Sequence, residues 1–179
     1  GVYDIYVNGH LVGEEFLKPG FTHYAKTKYS FTYDIIDLFK SGAEEENVLS
    51  AQVTPGWWGD KIITPNGHDG MIGKKCAFRG VLELTYADGT KRYYGTDLEH
   101  WKAGVAGPVR HAAIFDGEFY DARELPGYEC VERLSRPEMN TEFNGKIYPS
   151  EGAEVYLRKE KALPSVDAYL WSGEHGSTA

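Results

Sequence analysis

The sequence has little cysteine and no long apolar run. Two cysteines, Cys76 and Cys130, occur in 179 residues; they are too few for a disulfide framework and too far apart for a CxxC redox or zinc motif. A single bridge between them stays open as the less favoured alternative. No 18 apolar residues run uninterrupted, and the first residues lack the charged and apolar regions of a signal peptide. We therefore expect a chain that neither spans a membrane nor carries a targeting signal.

Basic residues are also in the minority. The chain has 19 Lys and Arg against 27 Asp and Glu, a formal charge of −8, and its basic residues are scattered. This distribution argues against electrostatic binding to the phosphate backbone of a nucleic acid. The six histidines form no HxxxH or HExxH pair, and the sequence contains neither a GxSxG elbow nor a phosphate loop. A recognisable enzyme signature is therefore absent.

Glycine and aromatic residues are abundant instead. The chain contains 21 Gly, 13 Tyr, 8 Phe and 4 Trp, a composition that favours tight turns joined by aromatic strands. Its 41% hydrophobic and 26% charged residues are typical of a folded domain. The composition predicts one all-β domain that needs no disulfide to fold.

Two hairpins stand out. Tyr3, Ile5 and Val7 alternate before an Asn8-Gly9 turn, and Asp88-Gly89 joins an apolar run at 77–86 to a run at 91–94. The second hairpin places Leu82, Leu84 and Tyr86 on one face, which we expect to be buried. Asp34 can cap one short helical turn through 35–39. Further strands are predicted at 29–33, 47–53, 101–103, 153–158 and 166–171.

Two long irregular loops are predicted, at 54–75 and 104–126, and such loops often carry function. The first holds Trp57 and Trp58, whose flat rings can stack on the C–H face of a sugar. Four residues after them could bind the sugar hydroxyls: Asp60, Asn66, His68 and Asp69. In the alternative interpretation one of these tryptophans, or both, fills the end of the sandwich. Neighbours in an extended segment point in opposite directions, so at least one ring is expected to be buried.

The second loop concentrates acidic residues around one arginine: Asp116, Glu118, Asp121, Arg123 and Glu124. Three interpretations compete. The acids could bind sugar or a metal such as calcium, they could act as a glycosidase pair, or Arg123 could tie the loop through a carboxylate. We favour the third, structural interpretation. If the domain binds sugar, both loops should meet at one end of the fold, with Asp116, Glu118 and Asp121 supplying carboxylates.

A series of motifs resembles the N-terminal domain of bacterial α-L-rhamnosidases over residues 1 to about 124. In chain order the motifs are VYDIYVNG (2–9), LKPGFT (17–22), YDIIDLF (33–39), NVL (47–49), GWW (56–58), LELTYADGT (82–90), TD with WK (96–97 and 101–102) and DGEFYDAR (116–123). Their number and order make the resemblance specific.

The resemblance implies a jelly-roll β-sandwich of the galactose-binding type beside a separate helical (α/α)6 barrel, which hydrolyses terminal α-L-rhamnosides by inversion. Some relatives of the domain bind rhamnose through calcium. This sequence departs from them, because Phe21 stands where the family commonly has Trp and the 60–75 loop lacks their Asp-Asn pair. Calcium-dependent rhamnose binding is therefore an open alternative and is not carried over from these relatives.

The family usually has a further strand before the first hairpin, so Gly1 is expected to be a truncated start. We divide the chain into a sandwich at 1–125, the remaining strands or the start of a next domain at 126–172, and a linker at 173–179. The barrel is not in this chain, so no catalytic residue is assigned.

The sequence thus predicts an accessory domain of a secreted or periplasmic α-L-rhamnosidase-like glycoside hydrolase of polysaccharide degradation. It would recognise a rhamnose-containing glycan or support the barrel. The alternatives are a structural spacer that binds no sugar and a fragment that is itself a glycosidase.

Overall fold

The computed structural model describes residues 1–42, 44–61, 70, 72–141, 145–152 and 154–168. Within these residues the regular structure is almost entirely β. The strands are β1 (Val2–Val7), β2 (His10–Val12), β3 (Thr27–Ser30), β4 (Leu49–Thr54), β5 (Val81–Thr85), β6 (Lys91–Gly95), β7 (Val109–Ala113), β8 (Gly117–Tyr120) and β9 (Lys146–Pro149). The α-helix is a single turn, α1 (Gly56–Gly59), and 3-10 turns lie at Ile36–Leu38, Gly127–Glu129, Val131–Arg133 and Lys159–Lys161. The predicted all-β class is confirmed.

The first predicted hairpin is confirmed, and its strand β1 is the central strand of a three-stranded sheet. Asn8 and Gly9 have φ angles of 51° and 82°, the left-handed pair that a tight type I′ turn requires. The turn pairs β1 with β2 in antiparallel register, and β4 pairs antiparallel along the other edge of β1. The strand predicted at 47–53 is this β4, and the sheet order is β2–β1–β4.

The second predicted hairpin is confirmed in its pairing but only partly in its burial. Strands β5 and β6 pair in antiparallel register around Asp88-Gly89. Leu82 and Leu84 share the less exposed face, but both are only half-buried. Tyr86 lies after the strand and is 44% exposed, so the expectation that it is buried with them is wrong.

The 104–126 segment is not the irregular loop that its acidic residues suggested. Strands β7 and β8 form a third Gly-containing hairpin within it, with a register shift between Val109 and His111. The strand predicted at 101–103 is absent from this part of the described chain, which has only an isolated bridge from Ala103 to Ser135. Charged residues on an exposed hairpin obscure the alternation that would reveal its strands.

Long-range pairing shifts several other predicted elements. Strand β3 begins two residues before the predicted 29–33 strand because its register is set by parallel pairing with β9, which was not predicted. The strand predicted at 153–158 is reduced, in its described residues, to one bridge between Val155 and Phe16. No strand is found at 166–168, and the rest of the 166–171 prediction lies outside the described residues. The division of the chain at residues 125 and 172 stays a prediction, as does the jelly-roll strand order.

The predicted helical turn is found as the 3-10 turn Ile36–Leu38, where Asp34 Oδ1 accepts a hydrogen bond from the amide of Ile36. The α1 turn was missed, because Gly56 adopts a φ of 50° and starts a helical turn in the segment predicted to be irregular. In the described part of the chain, no helix has the length and apolarity needed to cross a bilayer.

Burial is concentrated where β1 and β2 meet the segment around residue 18. The buried apolar residues are Val7, Val12, Tyr24 and Cys130. Two charged residues, Lys18 and Asp60, are also buried. Each of these two charges organises a part of the region around Trp57.

Candidate functional site

A cleft of about 230 Å³ lies between the 15–21 segment and the 150–155 segment. A hydrogen bond of 2.8 Å from the Phe16 amide to the Val155 carbonyl holds the two segments together. Both aromatic and polar residues line the cleft. The aromatic residues are Phe21, Tyr29, Phe31 and Trp57, and the polar ones include Glu15, Ser150 and Glu154.

Trp57 is the predicted site residue that lines this cleft. The α1 turn presents its half-buried ring, and Phe21 packs edge-on against it with ring centroids 6.2 Å apart. Gly56 is needed at the start of the turn, because a Cβ there would lie 2.5 Å from Val2 Cγ2. A partly exposed indole next to carboxylates offers both a stacking surface and hydrogen-bond acceptors.

Trp58 has a packing role instead. Its ring lies edge-on to Tyr24, with centroids 5.6 Å apart, and its Nε1 donates a 2.8 Å hydrogen bond to the Lys75 carbonyl. The Lys28 ammonium sits 5.1 Å from the ring centroid, and desolvation lowers the pKa of this lysine. Because the two tryptophans sit on a helical turn, their side chains are about 100° apart and not on opposite sides as predicted for an extended segment.

The floor of the cleft contains a buried cation. Lys18 is 1% exposed, and its Nζ donates a hydrogen bond of 3.1 Å to the Val12 carbonyl. The carboxylates of Asp4 and Glu15 each lie 3.8 Å from this ammonium. The Tyr33 hydroxyl donates to Glu15 Oε2 at 3.1 Å. The Glu15 carboxylate is thereby fixed in place beside the cleft.

Burial shapes the titration of this network. Desolvation, followed by the hydrogen bond to Glu15, raises the pKa of Tyr33. Desolvation also raises the pKa of Asp4, although Lys18 opposes the rise, and it raises the pKa of Tyr3 to about 12. Sequence reasoning missed Lys18, Glu15 and Glu154. Lysine is almost never fully buried, and nothing local in the sequence connects residue 15 to residue 154.

Asp60 connects the Trp57 segment to the β7–β8 hairpin. Its buried carboxylate accepts hydrogen bonds from the amides of Lys61 and Ile114, at 2.7 and 2.9 Å. Next to it the Lys61 ammonium bonds Asp116 Oδ2 at 2.8 Å, which lowers the pKa of Asp116. The start of the first predicted loop therefore contacts the acidic segment at Lys61. Convergence of the Trp57 and Trp58 rings with the carboxylates of that segment stays a prediction.

The acidic segment itself follows the structural interpretation at Asp121. Arg123 binds both oxygens of that carboxylate, at 2.8 and 2.7 Å, and lowers the pKa of Asp121 to about 2. Glu124 is paired with Arg133 at 2.6 Å, while Glu118 is exposed on β8. Asp116, Glu118 and Asp121 do not line the described cleft, and their assignment to sugar stays a prediction. Asn66, His68 and Asp69 lie outside the described residues.

Neither a metal centre nor a disulfide is found in the part of the chain that the structure describes. No three His, Cys, Asp or Glu residues there are grouped closely enough to hold a metal ion. Both cysteines are free: Cys130 is buried, and Cys76 is exposed. The alternative of a bridge between them is therefore wrong. Desolvation raises the pKa of the Cys76 thiol.

Comparison with known proteins places this geometry in a family. A family model described as the alpha-L-rhamnosidase N-terminal domain matches residues 1–145. An alpha-L-rhamnosidase of Formosa agariphila is 35% identical over 91% of the chain, and one of Streptomyces avermitilis is 37% identical over 89%. The chain covers 19% and 15% of these relatives, so it spans less than a fifth of their length.

The structural comparison agrees. The crystal structure of the Streptomyces avermitilis alpha-L-rhamnosidase complexed with L-rhamnose matches 69% of this chain and 11% of its own, with a TM-score of 0.62 and 35% identity. The fold is thus the all-β sandwich of the rhamnosidase N-terminal domains. This chain belongs to the family of α-L-rhamnosidase N-terminal domains.

Proposed function

We propose that this chain is a non-catalytic carbohydrate-recognition domain of an α-L-rhamnosidase-type glycoside hydrolase, and that the Trp57 cleft is its sugar site. The observation that carries the proposal is the half-buried Trp57 ring in a cleft with Glu15 and Glu154. A pyranose needs an aromatic face for its C–H groups and acceptors for its hydroxyls. The expected ligand is a rhamnose-containing glycan, since a relative was crystallised with L-rhamnose.

The fixed position of Glu15 supports the proposal. Its carboxylate is held by Tyr33 and flanked by Lys18, so it loses little conformational freedom when a ligand binds. Enzymes that cleave polysaccharides meet them outside the cytoplasm. We therefore propose a secreted or periplasmic parent enzyme, whose helical barrel would perform the hydrolysis.

Calorimetric titration of the chain with methyl α-L-rhamnoside and rhamnose-containing oligosaccharides tests this function. Trp57→Ala should weaken binding about three- to tenfold, because an aromatic contact contributes about 0.5–1.5 kcal/mol. Tyr93→Ala is the matched control, since this ring is 62% exposed on β6 and outside the cleft. Repeating the titration with calcium and with a chelator measures whether the ion takes part. Unchanged affinity in Trp57→Ala, or no binding of any rhamnoside, would exclude the cleft as a sugar site.

A second candidate function, support of the catalytic barrel, is favoured by the exposed faces of the hairpins. Val81 and Tyr93 on one side of β5–β6 are 63% and 62% exposed, and Phe119 and Tyr120 on β8 are 52% and 57% exposed. Exposed aromatic and aliphatic side chains favour a role in an interface. A chain that binds no sugar but associates with the separately produced remainder of its parent enzyme would be a supporting or spacer domain.

A further inference from the structure

A second depression, with a volume of about 400 Å³, lies away from the Trp57 cleft. Its lining residues are Leu98, Glu99, Trp101, Lys102 and Arg136. It shares none of them with the first cleft, so a ligand bound in this depression would be independent of the proposed rhamnoside site.

Three sets of hydrogen bonds hold its walls in place. Asp97 Oδ1 accepts from the amides of Glu99 and His100, at 2.9 and 2.6 Å, and so fixes the turn before Trp101. Paired backbone hydrogen bonds of 2.8 and 2.9 Å join Ala103 to Ser135. Arg136 Nε then donates to the Leu98 carbonyl at 3.0 Å. The Trp101 ring and the Arg136 guanidinium therefore belong to two segments of chain that are hydrogen-bonded to each other.

The side chains of this depression combine one aromatic ring with two cations. Trp101 is half-buried against Phe78, with centroids 6.1 Å apart. Arg136 uses Nε for the backbone, which leaves its terminal N–H donors available. Within the described residues neither Lys102 nor Arg136 forms an ion pair, and Glu99 is the one carboxylate in the lining.

The two cations of this depression lie beside an aromatic ring on a chain of net negative charge. The chain carries a formal charge of −8, and several of its other Lys and Arg side chains are bound to single carboxylates at 3.2 Å or less in exposed ion pairs. Lys102 and Arg136 form no ion pair within the described residues and line one depression together with Trp101, so both cations are available to the same anion.

We propose that this depression binds an acidic pyranose, a sugar unit that carries a carboxylate or a sulfate. The ring of the sugar would stack on Trp101, and its anionic group would lie between Lys102 and Arg136. Guanidinium matches both carboxylate and sulfate oxygens in bidentate geometry. A neutral sugar would gain no contact with the two exposed cations, so the site favours the charged unit. Glu99 opposes binding of the anion by repulsion and can accept a sugar hydroxyl.

Calorimetric titration with trigalacturonate, glucose 6-sulfate and neutral maltotriose tests the assignment. At least one of the two acidic probes should bind more tightly than maltotriose. Binding of trigalacturonate alone identifies a uronate site, and binding of glucose 6-sulfate alone identifies a sulfated-sugar site. Raising the salt concentration should weaken binding, because the pairing is exposed.

Variants separate a built site from general charge attraction. Lys102→Gln and Arg136→Gln should each weaken binding roughly fivefold, whereas Arg136→Lys should retain part of it. Lys26→Gln is the matched control, since it removes the same charge from an exposed lysine elsewhere. Equal losses in Lys26→Gln and Lys102→Gln, or no preference for acidic probes, would overturn the proposal. Trp57→Ala should leave this binding unchanged, so failure here and failure of the rhamnoside site are distinguishable.

Discussion

The Asp60 carboxylate accepts a 2.9 Å hydrogen bond from the amide of Ile114, 54 residues further along the chain. The second carboxylate oxygen accepts from the Lys61 amide. One buried side chain therefore ties the end of the Trp57 turn to the end of β7. This connection fixes the orientation of α1 relative to the β7–β8 hairpin.

Asp60→Ala should lower the free energy of unfolding by about 1–3 kcal/mol, because it leaves two amides without their acceptor. Asp60→Asn keeps one acceptor oxygen and should lose less. Asp116→Asn is the control, since it removes only the exposed ion pair with Lys61, for which a loss below about 1 kcal/mol is expected. Urea unfolding measures all three. Equal stability of Asp60→Ala and the parent chain would contradict a structural role for Asp60.

Lys18→Met should be strongly destabilising, by about 3 kcal/mol, because it removes the cation and leaves the Glu15 carboxylate beside an apolar side chain. The double variant Lys18→Met with Glu15→Gln should regain part of that loss, since the partly exposed Asp4 carboxylate is then the one carboxylate of the pair left without the cation. Thermal and urea unfolding of the two single variants and the double variant complete a cycle. Strict additivity of the two changes would show that the residues, 3.8 Å apart, do not interact.

The Asp121 carboxyl should titrate near pH 2, because Arg123 holds its pKa at about 2 in the folded chain. The folded pKa lies below the ordinary value of 3.8. The contribution to stability is therefore present above about pH 4 and is lost as the pH falls toward 2. Arg123→Gln should return the pKa toward 3.8, as measured by NMR titration of the side-chain carbon. Arg158→Gln, which removes an exposed arginine paired with Glu160, should leave Asp121 unchanged.

The chain on its own should not hydrolyse an aryl α-L-rhamnoside. A two-carboxylate mechanism needs acids about 5–5.5 Å or 6.5–9.5 Å apart across a bound sugar. Of the acidic segment, Asp116 and Asp121 are bound to Lys61 and Arg123 instead. A chromogenic assay of the pure chain checks this expectation. Turnover that is lost in Asp116→Asn or Glu118→Gln would make the chain a glycosidase itself.

Local chemistry made the two predicted hairpins readable from the sequence. Asn8-Gly9 and Asp88-Gly89 supply residues that tolerate positive φ, and apolar and polar residues alternate on both sides of each turn. The turn and the strands of each hairpin are therefore predicted by residues within a stretch of about 15 positions. The ion pair of Arg123 with Asp121 could also be predicted from the sequence, because the two residues are only two positions apart. The resemblance motifs identified the family for the same reason, since they are short and occur in order.

The cleft could be predicted only in part. Trp57 was identified by its glycine-flanked aromatic pair, but the direction of its ring depends on a helical turn begun by the positive φ of Gly56. Phe21 was noted only as a departure from the family, and its contact with Trp57 joins two segments that are distant in the chain. Glu15 and Glu154 also line the cleft, but no motif in the sequence links the two segments that contain them.

The sequence by itself determined the all-β class, the turn-closed hairpins and the family, because each depends on residues close together in the chain or on motifs in a fixed order. Tertiary structure decided which side chains share a cleft. The β3–β9 pairing and the Phe16–Val155 bridge join segments more than 100 residues apart, and no local pattern encodes such contacts. The burial of Lys18 and Asp60 was also decided by the tertiary structure, since a charge is tolerated in the interior only where partners satisfy it. One partner of Asp60, the Ile114 amide, lies 54 residues away.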